Sequence, residues 1–324
     1  MWKGSVASFV LNGAESVSKL ASELADGTYR PRRTTTFQVT SPKVRTITST
    51  PFRDRVYQRS LNDNVLYPAV VRSLIYDNAA CQTGKGTDFA RNRLKCHMQR
   101  HYRRHGTAGW VLHVDVEGYY ANLPHEVGES VFDDVPDWAR ERAVSVLRSQ
   151  YAGDKGYNPG SQMVQIVGIA ALSGVDHYVK ERLRVKGYVR YMDDLVLVHE
   201  DREFLEECLR AISVELAKLG LSVHPTKTRF VRLTDKTQFL GFDFRLTESG
   251  KVVMTLRPES VKRMRRRISR LCALEARGLR PPGTAREAYE GWRAHAAKGD
   301  SRLLLERCDR WFAERSTDAR RYED

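Results

Sequence analysis

Two adjacent carboxylates interrupt an apolar stretch of this sequence. The segment "VRYMDDLVLV", residues 189–198, places Asp193 and Asp194 between residues that otherwise have the composition of buried β-strands. A tight turn between two such strands would aim both carboxylates at one place. A buried carboxylate without a compensating charge costs on the order of several kcal/mol. Because "YMDDLVLV" contains no Arg or Lys, the pattern indicates that a metal ion balances the two charges.

The chemistry that such a pair could support is phosphoryl transfer. Hard divalent cations prefer oxygen ligands, and two of them about 3.5–4 Å apart can stabilise the attacking and leaving oxygens of an in-line displacement. A third acid is needed, and Asp115 in "GWVLHVDVEGYY" also ends an apolar strand pattern, 78 residues before Asp193. That separation leaves room for a crossover that brings the two strands side by side. Taken alone, Asp115 could also cap a helix or a turn. The Asp-Asp pair, taken alone, could also lie in a solvated turn.

The hydrophobic pattern predicts the elements that would position these acids. Alternation in "TTFQVTSPKVRTITSTP" is typical of a hairpin, and it puts Lys43 and Arg45 on one face. The Gly/Pro-rich "KGYNPGSQ" indicates a turn before a helix of small residues. A shift in composition near residue 255 indicates a subdomain boundary. Helices are predicted over 14–28, 52–105 with a break at "QTGKGT", 124–150, 201–219 and from 257 onwards; strands are predicted in "GWVLHVDVEGYY", in a hairpin over 187–199, in "LSVHPTKTRFVRL" and in "TQFLGFDFRLT".

Charge and composition narrow the class of partner. The 324 residues include 54 Lys and Arg against 40 Asp and Glu, which gives a net charge of +14 and indicates a polyanionic partner, with nucleic acid as the first candidate. No apolar run reaches 18 residues, and "MWKGSVASFVLNG" lacks the apolar stretch of a signal peptide, so we expect a cytoplasmic protein without membrane contact. The five cysteines contain no Cys-x-x-Cys pair and are expected to be reduced thiols.

Several segments, in order, resemble motifs of one enzyme family. Tyr-Met-Asp-Asp between apolar strands is similar to the catalytic hairpin of reverse transcriptases, and "HVDVEGYYANLPH" to their first palm motif. "KGYNPGSQMVQ" resembles their Gly-rich motif, except that Val164 stands where a Ser is usual and Tyr157-Asn158 replace Leu-Pro. "HPTKT" and "QFLGFDF" resemble the next two motifs, and "KVRTITSTPFRDRVYQ" with "ACQTGKGTDFA" the fingers motifs. The resemblance covers about 15–320 and favours the compact bacterial and phage members.

The resemblance implies an α+β fold with the right-hand architecture of polymerases, in which fingers, a palm with an antiparallel sheet, and a helical thumb surround a cleft. The implied segments are 1–108 for the fingers, 109–123 for the palm strand with the first catalytic Asp, 124–160 for an insertion between fingers and palm, 161–255 for the palm, and 256–324 for the basic thumb.

The resemblance also implies roles for the acids. Asp115, Asp193 and Asp194 would be catalytic metal ligands, with the backbone carbonyl of Val116 as a further ligand. The cofactors would be two Mg²⁺ ions, for which Mn²⁺ could substitute.

Further residues are implied in nucleotide binding. Arg45 and Lys43 would grip the triphosphate, although either could be a solvated hairpin charge. Tyr120 would close against the 2′ position of the sugar and favour deoxynucleotides. The alternative is that Tyr119 and Tyr120 are core residues. If both lie on a strand, this alternative suits only one of them, because consecutive strand residues face opposite sides. Gly160 and Gln165 would lie beside the nucleotide and template. Lys227 would protonate pyrophosphate or order the nucleotide, or else be a surface lysine.

The remaining implied contacts are with nucleic acid. Phe239, Leu240 and Gly241 would form the primer grip, or else an ordinary core strand. Tyr289, Trp292, Arg293 and Trp311 would build a small thumb core. The residues implied in contacts with the duplex backbone are Lys262, Arg263, Arg266, Arg267 and Arg270, for each of which a merely solvated face is the alternative.

The implied function is RNA-templated DNA synthesis from dNTPs on a DNA or RNA primer. The biological role would be antiphage defence or a diversity-generating retroelement, with a structured noncoding RNA and an accessory protein as further partners. Two alternatives stay open: a non-catalytic RNA-binding or maturase-like protein on the same fold, and a template-independent or protein-primed DNA polymerase.

Overall fold

The computed structural model describes residues 4–40, 44–158 and 160–320. The chain divides into two compact units. Unit 1 comprises Met1–Leu94 and Leu112–Phe230, and unit 2 comprises Lys95–Val111 and Val231–Asp324. None of the helices in the described ranges is long and apolar enough to cross a membrane.

The first part of unit 1 contains helices and a hairpin. Helices α1 (Gly4–Leu11) and α2 (Gly13–Ala25) precede the antiparallel pair β1 (Thr35–Val39) and β2 (Arg45–Ser49), in which Val39 pairs with Arg45. The predicted helix and hairpin are therefore confirmed. Lys43, which the sequence analysis pairs with Arg45, lies outside the described residues.

The predicted helical stretch that follows is also present. Helix α3 (Phe52–Leu61) continues through a π-helical turn into α4 (Tyr67–Val70), and α5 spans Thr87–His105. The break between α4 and α5 is longer than the two glycines of "QTGKGT" indicate. It contains Asn78, which forms a parallel bridge with Arg190, and Ala79, whose N–H donates to the main-chain oxygen of Arg190 over 2.9 Å.

A four-stranded sheet carries the acids singled out in the sequence. Its strands are β3 (Trp110–Asp115), β4 (Gly187–Tyr191), β5 (Asp194–His199) and β6 (Arg229–Arg232), in the order β4-β5-β3-β6. The middle residues of β3 and β5 are buried without alternation, which is typical of strands covered on both faces. The sheet thus places the end of β3 next to the start of β5.

Helices account for the remainder of unit 1. Their residue ranges are α6 (Tyr119–Asn122), α7 (His125–Ser130), α8 (Asp137–Gln150), α9 (Gln162–Ala170), α10 (Ser173–His177) and α11 (Arg202–Lys218). Helix α9 begins at the end of the Gly/Pro-rich loop, where the Ser161 hydroxyl accepts a 3.2 Å hydrogen bond from the Val164 N–H and caps the first turn. The loop and helix that the sequence predicts here are both found.

Besides the second part of α5, unit 2 contains a small sheet followed by three helices. The antiparallel strands are β7 (Thr237–Phe239), β8 (Phe242–Leu246) and β9 (Val252–Leu256), and the helices are α12 (Pro258–Glu275), α13 (Thr284–Ala296) and α14 (Arg302–Arg320). Strand β9 is absent from the sequence prediction. On α12, Met264, Ile268 and Cys272 recur every four residues and bury one face of the helix.

The core of the three helices agrees with the sequence prediction in part. Tyr289 is buried and stacks on Phe312 with ring centroids 4.2 Å apart, and Trp292 and Trp311 pack against this core. The prediction for Arg293 is wrong: its side chain is exposed and forms an ion pair with Asp309 over 2.8 Å. A guanidinium stays at the surface because burying its charge would require a buried partner.

Candidate active site

The two adjacent carboxylates lie at the turn between β4 and β5. Tyr191 pairs with Asp194, so Met192 and Asp193 form a two-residue turn. Met192 has a φ of 56°, in the left-handed region that side chains other than glycine rarely adopt. The main-chain oxygen of Asp193 accepts a hydrogen bond from the N–H of Val116 over 3.3 Å. This bond ties the turn to the residue that follows Asp115.

A buried arginine supports the same turn from the other side. Arg190 Nη1 donates to the main-chain oxygen of Met192 over 2.8 Å, and Nη2 donates to that of Ile169 over 2.7 Å. The guanidinium is fully buried and forms two hydrogen bonds with Asp176, of 2.8 and 2.7 Å. The Tyr188 hydroxyl donates to the same carboxylate over 2.6 Å. The charge of Arg190 is therefore balanced inside the protein, away from the carboxylates of the turn.

Asp115 ends β3 and is largely buried. Its Oδ2 lies 2.8 Å from Lys227 Nζ, and its main-chain oxygen accepts a 2.7 Å hydrogen bond from the N–H of His224. The segment "HPTKT" is thus fastened to the end of β3 through both backbone and side chain. Lys227, which lies 112 positions after Asp115 in the sequence, balances the charge of the Asp115 carboxylate.

The three aspartates influence one another electrostatically. Burial, together with the charges of Asp193 and Asp115, raises the pKa of Asp194 to about 7. Burial and the charge of Asp115 also raise the pKa of Asp193, whereas Lys227 and Arg45 act in the opposite direction. The site therefore holds more negative charge than its neighbouring cations neutralise.

A nearby histidine does not supply the missing positive charge. His113 Nε2 lies 3.8 Å from Asp194 Oδ1. Burial lowers the pKa of His113 to about 4, with the charge of Arg229 acting in the same direction. The imidazole is consequently neutral near neutral pH, and its contact with Asp194 is not an ion pair.

The carboxylates suit a hard divalent cation by their chemistry but are not arranged as a coordination site. In the part of the chain that the structure describes, no group of three or more His, Cys, Asp or Glu side chains could hold a metal ion as it stands. The Asp115 carboxylate contacts Lys227 instead. Burial, together with repulsion between the carboxylates, raises the pKa values of Asp193 and Asp194. A divalent cation bound to these oxygens would relieve that repulsion.

The tyrosines that follow Asp115 lie on a helix, which corrects the sequence prediction. Gly118, with a φ of 54°, ends the strand pattern, and Tyr119 and Tyr120 begin α6. The Tyr119 hydroxyl donates to the main-chain oxygen of Gly168 over 2.7 Å, and the Tyr120 hydroxyl donates to the Met192 sulfur over 3.5 Å. A Cβ atom at Gly168 would overlap the Tyr120 hydroxyl. Both rings therefore pack on α9, and Tyr120 also contacts the β4–β5 turn.

Other residues predicted to contact the nucleotide also lie in unit 1. Arg45 is exposed at the start of β2 and is close enough to lower the pKa of Asp193. Gly160 packs so closely on the main-chain oxygen of Thr48 that a Cβ atom would clash there. Gly160 and Gln165 both line a cavity of about 590 Å³. The glycine is required because only a residue without a side chain fits between the loop and β2.

Comparisons with known proteins agree with this geometry. The sequence profile of the reverse transcriptase (RNA-dependent DNA polymerase) family matches residues 39–244, which is more than half of the chain. The chain belongs to the reverse transcriptase family. The matched range contains Asp115, Asp193 and Asp194. No curated protein matches the chain.

Solved structures of reverse transcriptases from yeast telomerase have a similar fold. Telomerase from Candida albicans, in complex with a fragment of telomeric RNA, is 14% identical with a TM-score of 0.51 over 75% of this chain and 50% of that chain. Apo telomerase from Candida tropicalis is 13% identical with a TM-score of 0.50 over 76% and 53%. The chain thus spans about half the length of these proteins. At such low identity the similarity concerns the fold alone, and it confirms the predicted α+β polymerase fold.

The segment predicted to be the primer grip lies in unit 2. Phe239 pairs with Phe242, so Leu240 and Gly241 form a two-residue turn, with φ values of 45° and 89°. Both residues have positive φ, which is typical of the tight turns that match the twist of antiparallel strands. Phe239 is buried, whereas Gly241 is exposed at the tip.

The basic residues of α12 share one exposed side. They recur on the face opposite Met264, Ile268 and Cys272. Such a stripe is suited to contacts with phosphates along a strand. The exposed basic residues are Lys262, Arg263, Arg266, Arg267 and Arg270.

Proposed function

We propose that the chain is an RNA-directed DNA polymerase that extends a DNA or RNA primer with dNTPs on an RNA template. The observation that carries the proposal is the approach of Asp115, from the end of β3, to the β4–β5 turn, where its charge adds to burial in raising the pKa values of Asp193 and Asp194. Repelling carboxylates are costly unless a cation is bound in the working state.

Asp115, Asp193 and Asp194, with the main-chain carbonyl of Val116, would hold two divalent cations, Mg²⁺ with Mn²⁺ as a substitute. When bound, these ions would activate the 3′-hydroxyl of the primer and stabilise the leaving pyrophosphate. A cation at Asp115 competes with Lys227 for the carboxylate. Lys227 released from this contact is a donor for a phosphate oxygen.

Residues around the carboxylates would position the nucleotide. The guanidinium of Arg45 has several donors in one plane, which suits a triphosphate, and Lys43 is proposed to assist it. Tyr120 is held by Met192 on one side and by α9 on the other. A ring fixed in this way excludes a 2′-hydroxyl and favours deoxynucleotides. Gly160 and Gln165 would face the template and the nucleotide from the Gly-rich loop and α9.

The primer grip, Phe239–Gly241, and the basic side of α12 would contact the primer and the duplex backbone. As a biological role we propose antiphage defence or a diversity-generating retroelement of the bacterial or phage type, with a structured noncoding RNA and an accessory protein as partners in the cytoplasm. The bacterial or phage type and its biological role are proposed from the resemblance of the sequence motifs.

Primer extension tests the proposal. The full chain is supplied with a primer annealed to RNA, dNTPs and Mg²⁺, and the products are sequenced. We expect complementary DNA from the wild type, and a loss of at least about 100-fold in Asp193→Asn. Asp235→Asn, which changes an exposed acid of unit 2, is the matched control. RNA binding without synthesis by the wild type would contradict the proposal, as would products that ignore the template.

A further inference from the structure

Unit 2 contains a cavity of about 520 Å³, and among its lining residues only Lys262 has a role proposed above. It lies where residues of β8 and β9 meet the first turns of α12 and α14, and Asp243, Leu256, Pro258 and Ser301 are among its lining residues. Pockets of about 300–1,000 Å³ are of the size that binds small molecules. All of its lining residues belong to unit 2, so the inference drawn from it does not depend on the roles proposed for the carboxylates and the nucleotide contacts of unit 1.

The cavity has an excess of positive charge. One of its two acids, Asp300, is already engaged: it accepts a 2.9 Å hydrogen bond from the N–H of Met254 and lies 3.6 Å from Lys251 Nζ. The other, Asp243, is buried and has contacts of its own. Within the described ranges, the cations of the lining form no ion pair. These cations are Lys236, Lys262, Arg265 and Arg307.

A buried hydroxyl in the cavity wall has no hydrogen-bond partner. Ser301 directly precedes α14, where a serine side chain usually caps the first turn. It is only 4% exposed, and among the described residues its Oγ has no partner; the Leu305 N–H donates instead to the main-chain oxygen of Ser301 over 2.8 Å. A buried hydroxyl without a partner is costly. A ligand atom in the cavity would supply the missing acceptor.

Two helices begin at this cavity. Pro258 at the start of α12 and Ser301 before α14 both line it, and the helices that follow are 18 and 19 residues long. The first turn of α14 contains no acidic residue, whereas α12 begins with Pro258, which has no N–H, and has Glu259 in its first turn. The free N–H groups and the dipole at a helix start favour an anion. Those at the start of α14 therefore act in the same direction as the four cations and the Ser301 hydroxyl.

The remaining wall is apolar. Leu256, Val261 and Leu304 line the cavity beside the charged groups. A cavity lined by cations, a hydroxyl and aliphatic side chains suits a phosphate joined to a flat, weakly polar group. The phosphates of a continuous strand would instead follow the exposed arginines of α12, because a strand continues on both sides of each phosphate.

We propose that this cavity binds a nucleoside phosphate. The phosphate groups contact Lys262, Arg307 and the Ser301 hydroxyl at the start of α14, and the base lies against Leu256 and Leu304.

Binding of ATP to the full chain in the presence of a metal chelator tests the proposal by calorimetry, because the chelator removes metal-dependent binding at the carboxylates. We expect one equivalent of ATP to bind and inorganic phosphate to compete with it. The double variant Lys262→Gln, Arg307→Gln is expected to weaken binding by at least about tenfold, and Ser301→Ala by about threefold. Arg310→Gln removes a charge from an exposed position of α14 outside the cavity and should change the affinity by less than about twofold.

Three results would overturn the proposal: no binding of ATP by the wild type, equal binding by the double variant, or ATP binding that phosphate does not displace. A single-stranded oligothymidylate serves as the probe for a strand. If it binds in a way that depends on Lys262 and Arg307 while ATP does not bind, the cavity is part of a nucleic-acid surface and the proposal is wrong. Thermal melting verifies that the variants are folded.

Discussion

Arg190 donates a 2.8 Å hydrogen bond to the main-chain oxygen of Met192, the residue directly before Asp193. The guanidinium that makes this bond is fully buried and balanced by Asp176. Its planar fork reaches Asp176, Ile169 and Met192 at once, which a lysine cannot do. Arg190 is therefore a positioning residue: it holds the left-handed turn that carries the carboxylates.

Arg190→Lys keeps the positive charge but removes the planar guanidinium and its several N–H donors. We expect kcat for dNTP incorporation to fall by at least about tenfold, with a smaller change in KM, because the position of Asp193 changes while the contacts of the nucleotide remain. Steady-state kinetics on a primed RNA template measures both constants. Arg182→Lys, at an exposed position after α10, is the control. Equal kinetics of the two variants would contradict the positioning role.

Asp176→Asn removes the carboxylate that balances Arg190. A buried guanidinium left without its partner should lower the free energy of unfolding by about 3–5 kcal/mol. Denaturant unfolding measures this loss. Asp133→Asn, which breaks an exposed ion pair with Arg140, should cost less than about 1 kcal/mol. Similar losses in the two variants would show that the buried pair is not a main support of the fold.

Gly168 is the position of α9 on which Tyr120 packs. Gly168→Ala should destabilise the protein by about 1–3 kcal/mol, because the added methyl group would overlap the Tyr120 hydroxyl. Gly291→Ala is the matched control in α13: nothing lies within 4 Å of its added Cβ, and alanine in a helix is favoured by about 0.5–1 kcal/mol. Thermal melting compares the two. Opposite signs are expected, and stabilisation by Gly168→Ala would refute the packing argument.

Tyr120→Val tests the proposed exclusion of ribonucleotides. With the ring gone, the ratio of dNTP to rNTP incorporation should fall by at least about tenfold, because a 2′-hydroxyl no longer meets the ring. Single-nucleotide incorporation with matched dNTP and rNTP gives the ratio. Tyr102→Val, at a position of unit 2, should leave the ratio unchanged. An unaltered ratio in Tyr120→Val would remove Tyr120 from the selection of the sugar.

The stability of the protein should respond to acid through Asp309. A hydrogen bond from Arg293, and a second from Tyr289, lower the pKa of Asp309 below its ordinary value. A carboxylate with a lowered pKa stabilises the folded state above its unfolded pKa, and this contribution disappears as the pH falls through the folded pKa. Asp309→Asn should therefore be less stable than the wild type near pH 7, with the difference narrowing below about pH 4. Thermal melting across this range measures it; a constant difference would contradict the coupling.

The sequence predicted those parts of the site that depend on local pattern. The apolar strands and the acids at their ends are continuous segments, so the β4–β5 hairpin and the end of β3 could be placed before the structure was known. Lys227 was singled out by motif, but its contact with Asp115 joins residues 112 positions apart, and no local pattern contains that information. Strand β9 was missed because a short apolar run beside a basic helix has no clear period.

Arg190 could have been recognised from the sequence. It lies between Val189 and Tyr191 in a segment read as a buried strand, and a charged residue in such a place implies a buried partner. Arg190 lies just before the segment "YMDDLVLV", whose lack of Arg and Lys favours a metal ion. Tyr119 and Tyr120 were assigned to a strand because the apolar pattern continues past Asp115, although Glu117-Gly118 was a signal for a turn.

The rate of a single templated addition tests the central claim most directly. Rapid-quench measurement of the first correct dNTP added to a primer on a heteropolymeric RNA, with Mg²⁺, compares the wild type with Asp115→Asn, Asp193→Asn and Asp194→Asn, and with Asp235→Asn as the control. We predict that the wild type and the control add the templated nucleotide at similar rates and that each of the three variants is slower by at least about 100-fold. If any of the three aspartate variants is as fast as the control, the proposed catalytic role of that carboxylate is wrong. If the wild type adds nucleotides regardless of the template base, RNA-directed synthesis is contradicted.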